Sequence, residues 1–416
     1  MILKKKRLVN YLLYIGIFSN LFLWDTKTFY ISNVNEYLFH FYSTLRFILI
    51  LPLIFILKKI KKEEITKVVL LFLFILFHYI IIYFLYSVKI EFINIIYCFV
   101  LSLFFLTVIK FNKLVFFYIK KSYQLFLFIF LTVILINFTF YNDSNFQNLA
   151  GCLIYNIKSF FFKEHSHFAY LSASILLYFL ITSRVKFFIF LCLTIFSLST
   201  TLIISLILNI ILFFKKLIRF KYTLLFLLLF LSLIFFYKKE CSQRLMGLNQ
   251  VLYYVLEDNS KVNITDNSKV NIEENNNLTF LVYKNNLIIS LQSIRNNILG
   301  WGFNNYSKAF FYYSDFNIDK LSTYYGTPLE YKILNYNDGR SNFFKIIVEF
   351  GVFFFIFIYF IFCFIFSRNI SLEKKIIFIP PILTQLISGS GYFNGGFILF
   401  VFLIYQELFA LKKRSF

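Results

Sequence analysis

Residues 58–88 read KKIKKEEITKVVLLFLFILFHYIIIYFLYSV, a lysine-rich front followed by 21 residues, Val68 to Val88, in which His78 is the only side chain that titrates near neutrality. At about 1.5 Å rise per residue, a helix of that length crosses a hydrocarbon core about 30 Å thick. The lysines matter as much as the apolar run, because Lys and Arg in short flanking segments mark the cytoplasmic side of a span. One stretch therefore yields both a membrane helix and its direction.

The same pattern recurs through the 416 residues, of which 60% are hydrophobic and 63 are phenylalanine. Spans are expected near 8–24, 38–57, 68–88, 92–109, 122–140, 166–182, 187–200, 202–214, 222–237, 343–366, 376–388 and 393–410. The connectors 1–7, 58–67, 110–121, 183–186, 215–221, 367–375 and 411–416 hold 25 of the 42 Lys and Arg residues and only three acids. The net charge of +22 is thus a topology signal, not a nucleic-acid footprint. The expected fold class is all-α, a polytopic integral membrane protein with about 12 transmembrane helices and both termini cytoplasmic. The opening MILKKKRLVNYLLYIGIFSNLFLW has the basic front of a signal peptide but no small-x-small cleavage site, so it reads as an uncleaved first helix. The run 187–214 has basic residues at both ends and SLSTT at its centre, which predicts a hairpin turning at Ser199-Thr200-Thr201.

This topology divides the chain into residues 1–237 with helices one to nine, a large extracytoplasmic loop at 238–342, and residues 343–416 with the last three helices. The loop is nearly neutral, with eleven basic and ten acidic residues. Inside it, 258–277 opens with the tandem DNSKVNIT, DNSKVNIE and reads as a low-complexity insertion. The segment 281–299 places Leu287, Ile288, Leu291, Ile294 and Ile298 on one face and is expected to lie as a helix on the membrane domain.

Ionisable groups within apolar spans are costly and each calls for a role. His78 reads as a polar contact between helices, and Lys345 with Glu349 as a local i,i+4 pair. Outside the spans, FFKEHSHFAYLSAS places Glu164, His165, Ser166 and His167 at the mouth of the sixth helix, without a zinc-ligand pattern. The five scattered cysteines show no metal or redox spacing; they read as unpaired thiols, with Cys152 and Cys241 the two that could meet outside. Arg244, Arg295 and Arg340 stand in three separate parts of the loop, and a guanidinium fork suits phosphate oxygens. The stretch RNNILGWGFNNYSKAFFYY, 295–313, lacks the third glycine of a nucleotide-binding loop. Gly300 reads there as a helix C-cap, and the rings and amides after it can stack on and hydrogen-bond sugars.

Four segments carry a family resemblance: KEHSHFAYLSAS (163–174), FSLSTTLIISLILNII (196–211), LQSIRNNILGWGFNNYS (291–307) and GRSNFFKIIVEFGVFFF (339–355). Their order and spacing resemble the bacterial O-antigen and capsule polymerases (Wzy-type), which share a superfamily with the O-antigen ligases. The resemblance implies an inverting membrane glycosyltransferase of lipopolysaccharide or capsular polysaccharide biosynthesis in the bacterial cytoplasmic (inner) membrane. It would join undecaprenyl-diphosphate-linked oligosaccharide units on the outer face. Its partners would be those lipid-linked glycans, membrane lipids and a chain-length regulator; no nucleic acid, cofactor or metal is implied. Arg244, Arg295 and Arg340 would hold the leaving diphosphate, and Trp301, Asn304, Asn305, Tyr306 and Asn342 the glycan. The base for the acceptor hydroxyl is open among Glu164, His165, His167 and Asp338. Ligases carry a His where this chain has Ser341, which lowers the ligase alternative. A flippase of the same pathway is the remaining alternative, yet only Gly16 and Pro52 interrupt the first nine spans and no paired halves are visible.

Overall fold

The computed structural model describes residues 2–23, 46–56, 59–89, 91–140, 165–195, 200–217, 278–313, 339–389 and 391–412. Among them every regular element is a helix. In chain order they are α1 (Ile2–Phe18), continued by a π-helical turn (Ser19–Leu23), a 3-10 helix (Arg46–Phe55), α2 (Lys62–Tyr86), α3 (Phe92–Phe140), α4 (His165–Thr182), α5 (Arg184–Ile195), α6 (Thr200–Leu217), α7 (Leu278–Asn296), α8 (Asn342–Phe350), α9 (Phe353–Phe366), α10 (Leu372–Ile387) and α11 (Phe397–Lys412). Two apolar stretches, Lys62–Tyr86 and Phe92–Thr132, are long enough to cross a membrane, and several shorter apolar helices accompany them. The outer surface is itself apolar: Phe84 is 78%, Phe92 77% and Phe366 70% exposed. Large apolar side chains exposed to that degree on several helices fit a hydrocarbon surround better than water.

Three ion pairs gather at one end of the bundle. Lys110 Nζ lies 3.0 Å from Glu64 Oε2, Lys120 3.1 Å from Glu373 and Lys374 2.6 Å from Glu407. The opposite end holds the polar loop around residues 299–308. α3 runs between the two ends twice. As a straight helix its 49 residues would extend about 73 Å, and it bends at Phe111, where φ and ψ are −113° and 20°. The first arm passes from Asn94, beside Asn305, to Lys110, beside Glu64. The second arm returns parallel to α1, with the ring pairs Tyr14–Tyr118 and Phe22–Phe126 at 5.5 and 4.2 Å. The sequence placed a connector at 110–121. The chain does reverse there, at Phe111, but it stays helical on both sides of that kink, as no glycine or proline interrupts 92–140.

The 187–214 run is two helices, α5 and α6, with α6 beginning at Thr200 inside the expected turn. The expected 343–366 span is broken into α8 and α9 at Gly351-Val352. α7 covers the predicted 281–299 segment up to Asn296 but packs on its other face. Asn286, Ile289, Ser290 and Ser293 are buried, while Leu291 and Ile298 are each 60% exposed. Small and amide side chains let helix backbones approach closely, and here they satisfy themselves locally: Asn286 Nδ2 donates to Val282 O and Ser290 Oγ to Asn286 O.

Helix packing also repairs what the sequence breaks. Pro380 and Pro381 stand inside α10 and, lacking N–H groups, leave the Ile376 and Ile377 carbonyls without helical partners. Ser174 Oγ of α4 lies 3.0 and 3.1 Å from those two oxygens, and Tyr123 of α3 lies 2.9 Å from the same Oγ. The buried Lys375 donates to the Ile365 and Ser367 carbonyls, placing a cation against the C-terminus of α9. Cys98, Cys192 and Cys363 are free thiols; Cys152 and Cys241 lie outside the described residues, as does the 258–277 insertion.

Candidate functional site

The polar end is organised by a turn after α7. Gly300 N–H closes on Asn297 O at 2.7 Å, and the chain then crosses the end of α8. A helix leaves its last carbonyls without partners. Here Trp301 N–H donates to Val348 O at 2.8 Å and Gly302 N–H to Glu349 O at 2.9 Å, while Val352 N–H donates back to Ile298 O at 2.9 Å. The crossing forms at two glycines. A Cβ on Gly300 would lie 2.5 Å from Glu349 O, and one on Gly351 would lie 2.1 Å from Ile298 O. Gly300 is therefore a contact point between backbones, not the C-cap of α7, which ends at Asn296.

Side chains from α2 and α3 hold the turn. His78 Nε2 lies 2.8 Å from Leu299 O, and Tyr79 OH donates to Phe303 O. His78 stands eight residues before the end of α2, so the turn enters the bundle by about 12 Å. Asn94 Nδ2 donates to Asn305 Oδ1 at 2.8 Å, and Asn94 Oδ1 accepts from Asn304 Nδ2 at 3.0 Å. Lys308, in the helical residues 306–313, reaches Lys89 O at 2.6 Å and Glu91 at 3.0 Å. Tyr306 OH donates to Asn286 Oδ1 of α7 at 2.5 Å.

Beneath the turn lies Glu349, fully buried. Its Oε1 accepts from Tyr306 N–H at 3.3 Å and its Oε2 from Tyr392 OH at 2.7 Å. Lys345 Nζ is 3.9 Å away along the same helix and 5.3 Å from the centre of the Tyr392 ring. The local Lys–Glu pair read from the sequence is present, but it is one part of a cluster spanning three segments. Phe303 stacks on Tyr392 at 5.4 Å and 14°, closing the cluster off from an apolar crevice of ≈ 270 Å³ between α2 and α9, lined by Phe74, Ile75, Phe350 and Phe353 among others.

The start of α8 is fastened to the end of α10. Ser341 Oγ caps the helix by accepting from Phe343 N–H and Phe344 N–H and itself donates to Leu386 O at 2.7 Å. Asn342, fully buried, accepts from Gly391 N–H at 3.1 Å and donates to Gln385 Oε1 at 3.4 Å. Gly389 N–H donates to Arg340 O at 3.1 Å. Gly339 lies against the Tyr306 ring, where a Cβ would meet Cζ at 2.8 Å, so the segment before α8 touches the turn directly.

Of the residues the sequence singled out, Trp301, Asn304, Asn305, Tyr306, Arg340 and Asn342 come together in this one cluster of segments. Asn305, Tyr306 and Asn342 are buried and spend polar groups on internal bonds, whereas Asn304 and Arg340 are half-buried, each at φ +60°. Arg295 is exposed in the last turn of α7. His167 is half-buried on α4, its ring 5.3 Å from Tyr170, and His165 opens that helix. Glu164, Arg244 and Asp338 lie outside the described residues. Sequence reasoning missed Tyr79, Asn94, Asn286 and Tyr392. Their signal, a polar group in or beside an apolar run, was visible, but their partners lie 20 to 224 residues away. Among the described residues no group of His, Cys, Asp or Glu is placed to hold a metal ion. No family model, curated protein or solved structure matches this chain.

Proposed function

We propose that this chain is a membrane glycosyltransferase that polymerises lipid-linked oligosaccharides. It uses about twelve spans and an outward-facing site at the polar end of the bundle. One observation carries the reading. The segments 291–307 and 339–355, two of the four on which the resemblance to O-antigen and capsule polymerases rests, pack against each other through backbone bonds and a shared buried acid. A meeting of distant, glycine-marked segments at one end of a helical bundle is what an assembled site requires.

In the proposed reaction an acceptor sugar hydroxyl attacks the anomeric carbon of an undecaprenyl-diphosphate-linked glycan from the face opposite the leaving group. A new C–O glycosidic bond forms, the anomeric C–O bond to the diphosphate breaks, and the hydroxyl proton passes to a base. The diphosphate departs with the electron pair, so the chain must bring cations to it and a proton acceptor to the nucleophile. Arg295 and Arg340, with Arg244, are the proposed cations. Asn304 is the proposed glycan contact at the surface, while Trp301, named with it from the sequence, is buried behind the turn. The base belongs to the set Glu164, His165, His167 and Asp338. Ser341 caps α8 where ligases carry a His, which sets the polymerase ahead of the ligase.

The test is genetic and biochemical. A strain lacking this protein is expected to carry surface glycan of a single repeat unit, read on a glycan-stained gel. Long glycan left on the carrier lipid would identify a ligase, failure to expose the lipid-linked unit outside would identify a flippase, and an unchanged glycan pattern would end the reading.

A further inference from the structure

We infer that Glu349 is a positioning residue that sets the shape of the turn 300–306 and, through it, the placement of Asn304 and Arg340. The inference rests on the proposed reading only in assigning those two residues to a substrate face; the geometry stands without it. Glu349 is the only acid buried among the described residues. A buried charge persists where it is paired and its lone pairs are taken. The partners here are distributed unusually. Tyr306 N–H, at 3.3 Å, belongs to the turn, Tyr392 OH, at 2.7 Å, to the segment before α11, and Lys345, at 3.9 Å, to α8 itself. One carboxylate thus joins the turn to two other segments, at the point where its own backbone oxygen accepts from Gly302 N–H.

The consequence reaches the surface by two short routes. Asn304 stands two residues before Tyr306 in a left-handed conformation, φ +60°, and its side chain donates to Asn94. Arg340 follows Gly339, which lies on the Tyr306 ring, and is also left-handed at φ +60°. Left-handed backbone at residues other than glycine persists only where the surroundings over-determine it. The bonds to Glu349 supply that over-determination on the inner side of the turn, and Asn94 and Gly389 supply it on the outer side.

The test uses the full-length protein purified in detergent, with backbone hydrogen exchange followed by peptide. Glu349→Gln keeps the volume but puts an amide where two donors now converge. It is expected to speed exchange at residues 300–307 at least tenfold, with exchange in the core of α10 unchanged, and in cells to shorten the surface glycan. Tyr392→Phe, which removes one donor and no charge, is expected to give the same pattern more weakly. Should Glu349→Gln fail to accumulate because Lys345 has lost its acid, the Lys345→Met/Glu349→Gln pair removes both charges and carries the same expectation. Unchanged exchange at 300–307 overturns the inference. So does an equal rise throughout the bundle, which would make Glu349 a general fold determinant. A selectively loosened turn, in a protein whose deletion leaves surface glycan unchanged, upholds the positioning role and overturns the polymerase reading instead.

Discussion

Gly300 and Gly351 show how much a single hydrogen atom in place of a side chain can decide. Their backbones pass close enough that a methyl group on either would overlap a carbonyl, and both have positive φ, +85° and +53°. Gly300→Ala and Gly351→Ala are each expected to destabilise the protein by at least about 2 kcal/mol, read as a lowered thermal midpoint in detergent; an unchanged midpoint in both would remove the crossing as a fixed element. The sequence marked both positions as glycine but gave Gly300 a local task, ending a helix. Likewise Lys345 and Glu349 were legible as an i,i+4 pair, and the bonds from Tyr306 and Tyr392 were not. A residue's local partners follow from helical spacing. Its distant ones follow from which segments fold together, which spacing along one helix does not encode.

At the level of elements, most helices announced themselves through long apolar runs, and their ends through lysine, serine and glycine. The exceptions have specific causes. α3 reverses at Phe111 inside the basic segment with no turn residue between its two arms, whereas α8 and α9 separate because another backbone crosses at Gly351. α10 survives two internal prolines because α4 supplies a hydroxyl to the two carbonyls they strand. Ser174→Ala leaves those oxygens buried without a donor and is expected to cost about 1–2 kcal/mol, with faster hydrogen exchange confined to α10 and its contact with α4. Exchange that does not change would mean the prolines are accommodated within α10 itself. The reversed face of α7 belongs to this scale too. Its leucines and isoleucines predicted a buried stripe, yet in an apolar surround the polar and small side chains are the ones that gain by turning inward.

For the molecule as a whole, the charged end and the polar-loop end give the bundle its polarity. Lys5 near Phe55 and Glu407 near Lys374 place the starts of α1 and the finish of α11 at the same charged end. A reporter that works only outside the cytoplasm, fused after residue 285, is expected to be active, and the same reporter at either terminus inactive; a cytoplasmic signal at 285 would reverse the proposed membrane orientation and move the site to the other face. The all-helical class, the places of most described helices and the lysine-rich end came from the sequence by itself, because hydropathy, helical rise and lysine placement act within short windows; the expected 222–237 span lies outside the described residues. That the Gly-Trp-Gly turn enters the bundle, that Glu349 fastens it, and that Asn305, Tyr306 and Asn342 face inward while Asn304 and Arg340 reach the surface were decided only by tertiary structure. Each depends on pairing donors and acceptors from segments far apart in the chain, and where water is excluded it is the need to satisfy every buried polar group that selects the arrangement.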